Sequence, residues 1–277
     1  MRKAVIYFLL YLVLTLALSY AVDGVFQLFK LNGDGMVTLK LLVTSGITSV
    51  AVIALFMLKK WCHVSREYVR TKPWGVFFWT VLLSLGIILP LAWLESFIPK
   101  DMLKDLTDGV LASALDGPEG YFVICMLAPL AEEVVFRGAV IQALTRWGRE
   151  RMKKDVLTAG EQSHINWLAI LVSAFIFALV HLNPAQMPHA LIVGVLLGWM
   201  YTRTGSIVPG FLLHWINNSS AYVMLKLFPS LPMDAALPDY FHGNTMAMYQ
   251  AVGSSLLIAL PALYQFYVFT KKGNVKC

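Results

Sequence analysis

Residues 131–138 read Ala-Glu-Glu-Val-Val-Phe-Arg-Gly and put two carboxylates and one guanidinium inside an apolar run over about residues 121–144. A charge at bilayer depth costs about 2.5–3.5 kcal/mol, so three charges together indicate a specific role. On a helix, Glu133 and Arg137 are four residues apart on one face, in the order that favours an ion pair. Glu132 is rotated about 100° from Glu133 and has no local partner. We therefore predict that Glu132 carries chemistry and that Glu133 and Arg137 brace it; a purely structural ion network is the alternative.

The rest of the chain is apolar enough to cross a membrane several times. Of its 277 residues, 58% are hydrophobic and 14% are charged, whereas about a quarter of the residues of a soluble domain are charged. Hydrophobic runs of spanning length recur throughout. This pattern predicts an all-α polytopic membrane protein of about eight transmembrane helices, with residues 1–277 in a single membrane domain. The predicted spans cover about residues 4–20, 36–58, 74–97, 121–144, 165–182, 187–201, 207–227 and 246–269.

The charge distribution predicts how these spans are oriented. If the amino terminus is cytoplasmic, sixteen of the 22 Lys and Arg residues lie on the cytoplasmic side, and the acidic loop over residues 99–119 lies outside. Both termini are then cytoplasmic, and the first span is an uncleaved anchor. Because the net charge of +6 comes from basic residues between spans, it does not indicate a nucleic-acid partner. The three cysteines show neither a disulfide pattern nor zinc-like spacing.

Two histidines lie inside predicted spans, His181 late in the fifth and His214 in the first third of the seventh. Asn218 is one turn from His214 and shares its face. A single membrane histidine is usually an interhelical hydrogen-bonding group. Two histidines together with an unpaired Glu132 and an asparagine favour a catalytic site, where the four side chains converge from different spans. The remaining histidines are predicted to be solvated or interfacial: His63, His164, His189 and His242.

Two chemistries suit this set of side chains. In the first, Glu132 and His181 hold a water molecule and Glu132 takes its proton, while His214 and Asn218 donate hydrogen bonds to the oxyanion. In the second, Glu132, His181 and His214 bind zinc and leave one position for water. The residue types leave both chemistries open. The amide of Asn218 beside His214 favours the first, because an amide is a good hydrogen-bond donor and a poor zinc ligand.

Three short motifs occur in order on separate predicted spans: Glu132-Glu133-x-x-x-Arg137, Phe177-x-x-x-His181 and His214-x-x-x-Asn218. Together they resemble the motifs of the CPBP family, which comprises CAAX proteases and bacteriocin-processing enzymes and is also called Abi. The resemblance covers about residues 120–220. It implies an intramembrane endopeptidase with an eight-helix, CAAX-protease-like core and a membrane-facing cavity.

The resemblance also implies roles for the site residues. Glu132 acts with His181 in catalysis, and His214 and Asn218 support the oxyanion. Members of the family are described both as metalloproteases and as metal-independent glutamate proteases, so we expect no cofactor and keep zinc as the alternative. The implied partners are the lipid bilayer and a membrane-anchored protein or peptide substrate. The implied location is a bacterial cytoplasmic membrane, and the oligomeric state stays open.

A different class of function is also compatible with the sequence. In a non-catalytic membrane immunity or binding protein, the same polar cluster would only determine how the helices pack. The two hypotheses differ in what Glu132 does, because a packing role tolerates replacement by glutamine and a catalytic role does not.

Overall fold

The computed structural model describes residues 1–62, 73–99, 109–231 and 235–271, and all regular structure within these ranges is helical. The predicted all-α class is therefore confirmed. Helix α5 is one continuous run over residues 118–152 made of five consecutive segments, Pro118–Gly120, Tyr121–Leu127, Ala128–Glu132, Glu133–Ile141 and Gln142–Met152. The other helices are α1 (Arg2–Leu28), α2 (Asp34–Leu58), α3 (Trp74–Glu95), α4 (Val110–Ala114), α6 (Ala159–Leu179), α7 (Met187–Thr204), α8 (Val208–Leu227), α9 (Leu237–Tyr240) and α10 (Thr245–Phe269).

Five helices of the described ranges are long and apolar enough to cross a membrane. They are α1, α2, α3, α6 and α10, with mean hydropathies between 1.5 and 2.3. The chain is therefore an integral membrane protein. Helices α5, α7 and α8 occupy the other three predicted spans, and their polar side chains lower their hydropathy. The count of eight crossings and the single-domain organisation stay predictions.

Three helices extend at least six residues beyond their predicted bounds, and the first is α1, which continues to Leu28 rather than ending near residue 20. Helix α5 continues to Met152, so most of the basic segment predicted as a loop is helical. Helix α6 begins at Ala159 rather than near residue 165. Its start is set by a capping box, in which the Thr158 side chain accepts from the Glu161 backbone N–H and the Glu161 carboxylate accepts from the Thr158 backbone N–H. Single-residue hydropathy does not reveal this polar first turn as part of a span.

Helix α5 lies at the centre of the bundle. Every residue of Glu133–Ile141 is buried, and this segment packs against α1, α2, α6 and α7. Aromatic rings join the layers, since Phe136 contacts Tyr11 of α1 at 5.5 Å and Phe177 of α6 at 5.2 Å between ring centroids. The Ser173 hydroxyl of α6 also donates to the Phe136 carbonyl at 3.0 Å. The charged residues of α5 are therefore enclosed by neighbouring helices rather than by lipid.

Helices α3 and α10 form a closely packed pair beside this centre. A Cβ at Gly86 would lie 2.7 Å from the Ala259 backbone nitrogen, so only glycine permits the observed approach. The Ser255 hydroxyl donates to the Gly86 carbonyl at 3.0 Å across the same contact. This pairing, together with the contacts of α3 with α8, positions the end of α3 at Glu95.

Candidate active site

Helix α5 departs from α-helical hydrogen bonding where its charged residues lie. Tyr121–Leu127 and Glu133–Ile141 are π-helical, and the α-helical segment Ala128–Glu132 separates them. π-type turns are rare in proteins and are frequent at functional sites. Glu132 ends the α-helical segment and Glu133 begins the π-helical one. The two adjacent carboxylates therefore leave the helix on either side of a change in its pitch.

The predicted ion pair between Glu133 and Arg137 is present and sealed inside the bundle. Nη1 of Arg137 lies 3.0 Å from Oε1 of Glu133, and both side chains are at most 1% exposed. Nη2 of Arg137 donates to the carbonyl of Gly194 on α7 at 3.3 Å, and the guanidinium carbon lies 4.4 Å from the ring centroid of Phe177. A charge pair at this depth is stable only when such additional partners are supplied.

His214 lies between the two carboxylates. Its Nδ1 is 3.1 Å from Oε1 of Glu133, and its Nε2 is 3.6 Å from Oε2 of Glu132. The first distance is a hydrogen bond in which the imidazole N–H donates, and the second is an electrostatic contact too long for a hydrogen bond. The sequence predicted no local partner for Glu132. Its neighbour in the structure comes from another helix, because α8 contacts α5 at this level.

His181 lies just beyond the end of α6, not within it as predicted. The helix ends at Leu179, and Leu182 has a positive φ of 50°. Pro184 follows two residues later and disfavours helical backbone before it. Nδ1 of His181 donates to the carbonyl of Phe177 at 2.8 Å. This hydrogen bond puts the proton of a neutral imidazole on Nδ1 and makes Nε2 the acceptor.

Asn218 is held against α5 by two contacts. Its side-chain Nδ2 donates to the carbonyl of Ile124 at 3.3 Å, and its backbone carbonyl accepts from the Sγ of Cys125 at 3.4 Å. Ile124 and Cys125 both belong to the π-helical segment Tyr121–Leu127. Since a side-chain amide carries two N–H groups, the contact with Ile124 engages one of them.

All four predicted catalytic residues line one cavity of about 550 Å³. The Glu132 side chain is 21% exposed, whereas the adjacent Glu133 side chain is fully buried. This difference separates an accessible carboxylate from a structural one. The four residues that line the cavity are Glu132, His181, His214 and Asn218, and Phe177 lines it beside them.

A comparison with protein families identifies the part of the chain that builds this site. Residues 119–220 match the model of a family described as type II CAAX prenyl endopeptidase, Rce1-like. This segment therefore resembles a CAAX protease domain, as the three motifs predicted, and the resemblance indicates a hydrolase. The apolar helices around it make the chain an integral membrane protein. No curated protein and no solved structure matches the chain.

The alternative prediction for the cofactor is a zinc ion. Its ligands would be Glu132, His181 and His214. The donor types suit zinc, and the hydrogen bond from Nδ1 of His214 to Glu133 is a typical support for a ligating histidine. Across the parts of the chain that the structure describes, however, no three His, Cys, Asp or Glu side chains are close enough together to hold a metal ion. The expectation that the protein needs no cofactor stays a prediction.

A second polar cluster lines the same cavity and was missed in the sequence. Nδ1 of His189 lies 2.6 Å from Oε1 of Glu95, and Nε2 of His189 lies 2.9 Å from Nδ2 of Asn217. His189 was predicted to be solvated or interfacial, and Asn217 was not among the predicted site residues. One sequence signal was present: Glu95 is the single acidic residue of an otherwise apolar span and has no basic residue one turn away.

Proposed function

We propose that the protein is an intramembrane endopeptidase that hydrolyses a peptide bond of a membrane-anchored protein or peptide. The observation that supports this most directly is the shared cavity. Glu132, His181, His214 and Asn218 reach it from α5, the end of α6, and α8. Placing four polar side chains around one cavity inside an apolar bundle costs free energy. A role in substrate chemistry accounts for this cost.

In this mechanism, Glu132 and His181 activate a water molecule. Nε2 of His181 accepts a hydrogen bond from the water, because its Nδ1–H donates to the Phe177 carbonyl. The Glu132 carboxylate takes a proton as the water oxygen bonds to the substrate carbonyl carbon. When the tetrahedral intermediate collapses, the C–N bond breaks and Glu132 returns that proton to the leaving amine. The carboxylate is then restored for the next cycle.

His214 and Asn218 stabilise the oxyanion that forms between these two steps. A neutral His214 that donates from Nδ1 to Glu133 has a lone pair on Nε2, so it donates to an oxyanion only when protonated. A protonated His214 and Arg137 balance the charges of Glu132 and Glu133, leaving the group of four neutral. The second N–H of the Asn218 amide supplies the other donor. One such donor contributes about 2.7–4 kcal/mol in well-studied proteases.

The proposed setting follows from the chain's apolar helices and charge pattern. The protein lies in a bacterial cytoplasmic membrane with both termini in the cytoplasm, because basic residues concentrate in cytoplasmic segments. Its substrate is a membrane-anchored protein or peptide that reaches the cavity within or beside the bilayer. No nucleic acid takes part.

The test of this function is the substitution Glu132→Gln, which keeps the size of the side chain and removes its ability to take a proton. We expect one or a few membrane proteins to accumulate uncut, with a loss of cleavage of about 10²–10⁴-fold, while the variant folds normally. Glu150→Gln is the matched control, since Glu150 pairs with Arg146 on the surface at 3.1 Å. Full function of Glu132→Gln would instead support the non-catalytic immunity or binding protein.

A second measurement tests the proposed independence from metal. We expect the purified protein to lack stoichiometric bound metal in elemental analysis and to keep its activity in 1,10-phenanthroline. The reason is that the amide of Asn218 beside His214 suits two donors to one oxyanion better than a set of metal ligands. One zinc per chain, lost together with activity and restored by added zinc, would reassign Glu132, His181 and His214 as ligands.

A further inference from the structure

The cavity is built from one end of the helix bundle. Helix α3 contributes Glu95 at its C-terminal end, α7 contributes His189 near its N-terminal end, and α5 contributes Glu132 from its first half. Helix α2 contributes from its first half as well. The further lining residues at this end include Leu41 and Ser45 of α2, Gln186, and Ser220 and Ala221 of α8.

The basic side chains lie at the opposite end of the same helices. Helix α7 carries His189 in the cavity and Arg203 in its last turn, about 21 Å farther along the axis at 1.5 Å per residue. Helix α1 joins this end through its N-terminal residues, because Ala4 and Leu144 line a common pocket. The basic residues of this end within the described ranges are Arg2, Lys3, Lys59, Lys60, Arg146, Arg149, Arg151, Lys153, Lys154, Arg203 and Lys271.

Basic residues at the cavity end are fewer, and two of them are paired with acids. Lys226 contacts the Asp116 carboxylate at 2.6 Å, and this hydrogen bond holds the pKa of Asp116 below its usual value. Lys40 of α2 pairs with Asp23 of α1. These pairs neutralise the lysines locally, and Glu95 adds a negative charge at the cavity. Among the described residues, the cavity end therefore has no excess of positive charge to match the other end.

Fully buried side chains separate the cavity from the basic end. Arg137 and Ile141 of α5, Leu197 of α7 and Leu213 of α8 lie farther toward the basic end than the cavity residues of their helices, and each is at most 1% exposed to solvent. Protein interiors pack at crystal-like density, so a peptide cannot pass where these side chains pack. The geometry therefore favours access to Glu132 from the cavity end or laterally from the bilayer at that depth.

We propose that the active-site cavity opens on the extracytoplasmic side of the membrane, and that the substrate is a membrane-anchored protein whose scissile bond lies on that side. Cytoplasmic segments of membrane proteins carry an excess of Lys and Arg, which assigns the basic end to the cytoplasm and the cavity end to the opposite face. The statement about the substrate rests on the proposed endopeptidase function. A soluble tail in the cytoplasm would have to pass these buried side chains to reach Glu132.

The orientation is tested by labelling single cysteines with a membrane-impermeant maleimide in a variant whose three native cysteines are replaced by serine. Gln186→Cys places the thiol at the cavity, and Gln186 has no role in the proposed catalysis. Asp155→Cys places it on an exposed segment of the basic end and is the matched control. In intact spheroplasts we expect label on Gln186→Cys alone, and in inside-out vesicles on Asp155→Cys alone. The reverse pattern would overturn the proposed orientation, whether or not the protein is an enzyme.

The substrate side is tested with the Glu132→Gln strain. A protein that accumulates uncut in this strain should lose its uncut segment when an added protease digests intact spheroplasts. Protection of that segment until the membrane is opened would overturn the inference about the substrate while leaving the endopeptidase function in place. If no protein accumulates, the proposed function fails instead, and the labelling pattern still decides the orientation of the cavity.

Discussion

Two carboxylate–histidine pairs each present their histidine to the same cavity and differ in burial. Glu133 and His214 lie 3.1 Å apart, with side chains 0% and 6% exposed. Glu95 and His189 lie 2.6 Å apart, with side chains 27% and 32% exposed. The shorter contact is thus the more exposed one. Because water screens exposed charges and can replace a lost partner, the longer but buried pair is the one that the fold depends on.

The group that faces the other ring nitrogen, Nε2, of each histidine also differs. Nε2 of His214 faces the carboxylate of Glu132, whereas Nε2 of His189 faces the amide of Asn217. The first arrangement concentrates charge beside the proposed catalytic carboxylate and needs Arg137 for balance. The second adds a neutral amide and needs no further charge. The same pair of residue types therefore builds a reactive centre in one place and a polar wall in the other.

The largest expected difference comes from removing Arg137. Arg137→Ala leaves the buried Glu133 without its cation, and breaking a buried ion pair costs about 3–5 kcal/mol. We expect a large loss of folded protein and of activity, measured by yield and by thermal unfolding in detergent. Glu95→Gln, which breaks the exposed pair, should cost about 1 kcal/mol or less. Equal destabilisation by both variants would contradict the ranking by burial.

A smaller effect is expected when each histidine is replaced by glutamine. His214→Gln removes a donor to the oxyanion and should lower the cleavage rate of the accumulating substrate by about 10²–10³-fold. His189→Gln removes only a partly exposed contact, so the free energy of unfolding should change by about 1 kcal/mol or less. The cleavage rates of both histidine variants are measured on the protein that accumulates with Glu132→Gln. A larger loss from His189→Gln than from His214→Gln would exchange the roles of the two pairs.

The smallest expected effect tests the space around Glu133. A Cβ at Gly210 would lie 3.0 Å from Oε2 of Glu133, so Gly210→Ala pushes the carboxylate away from His214. Overpacking of this kind costs about 1–3 kcal/mol, and we expect a measurable loss of stability and cleavage. Gly253→Ala is the control on α10, because a Cβ there would have no neighbour within 4 Å. Indistinguishable variants would show that the carboxylate has room to move.

The Glu133–Arg137 ion pair and the Glu95–His189 pair show which contacts were predictable. Glu133 and Arg137 are on one helix, so a spacing of four residues and the cost of buried charge predicted their contact. Glu95, His189 and Asn217 come from α3, α7 and α8. Their contact depends on how three helices pack, and no spacing in the chain encodes it. The position of His181 outside α6 was missed for a related reason, since Pro184 lies five residues after the helix end at Leu179 and allows more than one boundary.

The sequence by itself determined the all-α membrane class, the resemblance to CAAX proteases and the choice of the four residues predicted to act, because hydropathy, the cost of buried charge and local spacing are properties of the chain. Only the tertiary structure decided that His214 lies between Glu132 and Glu133, that Glu95 and His189 share the cavity, and that the cavity lies at the end opposite the basic residues. These are contacts and directions between helices, which depend on packing angles and close approaches such as that of Gly86 to Ala259.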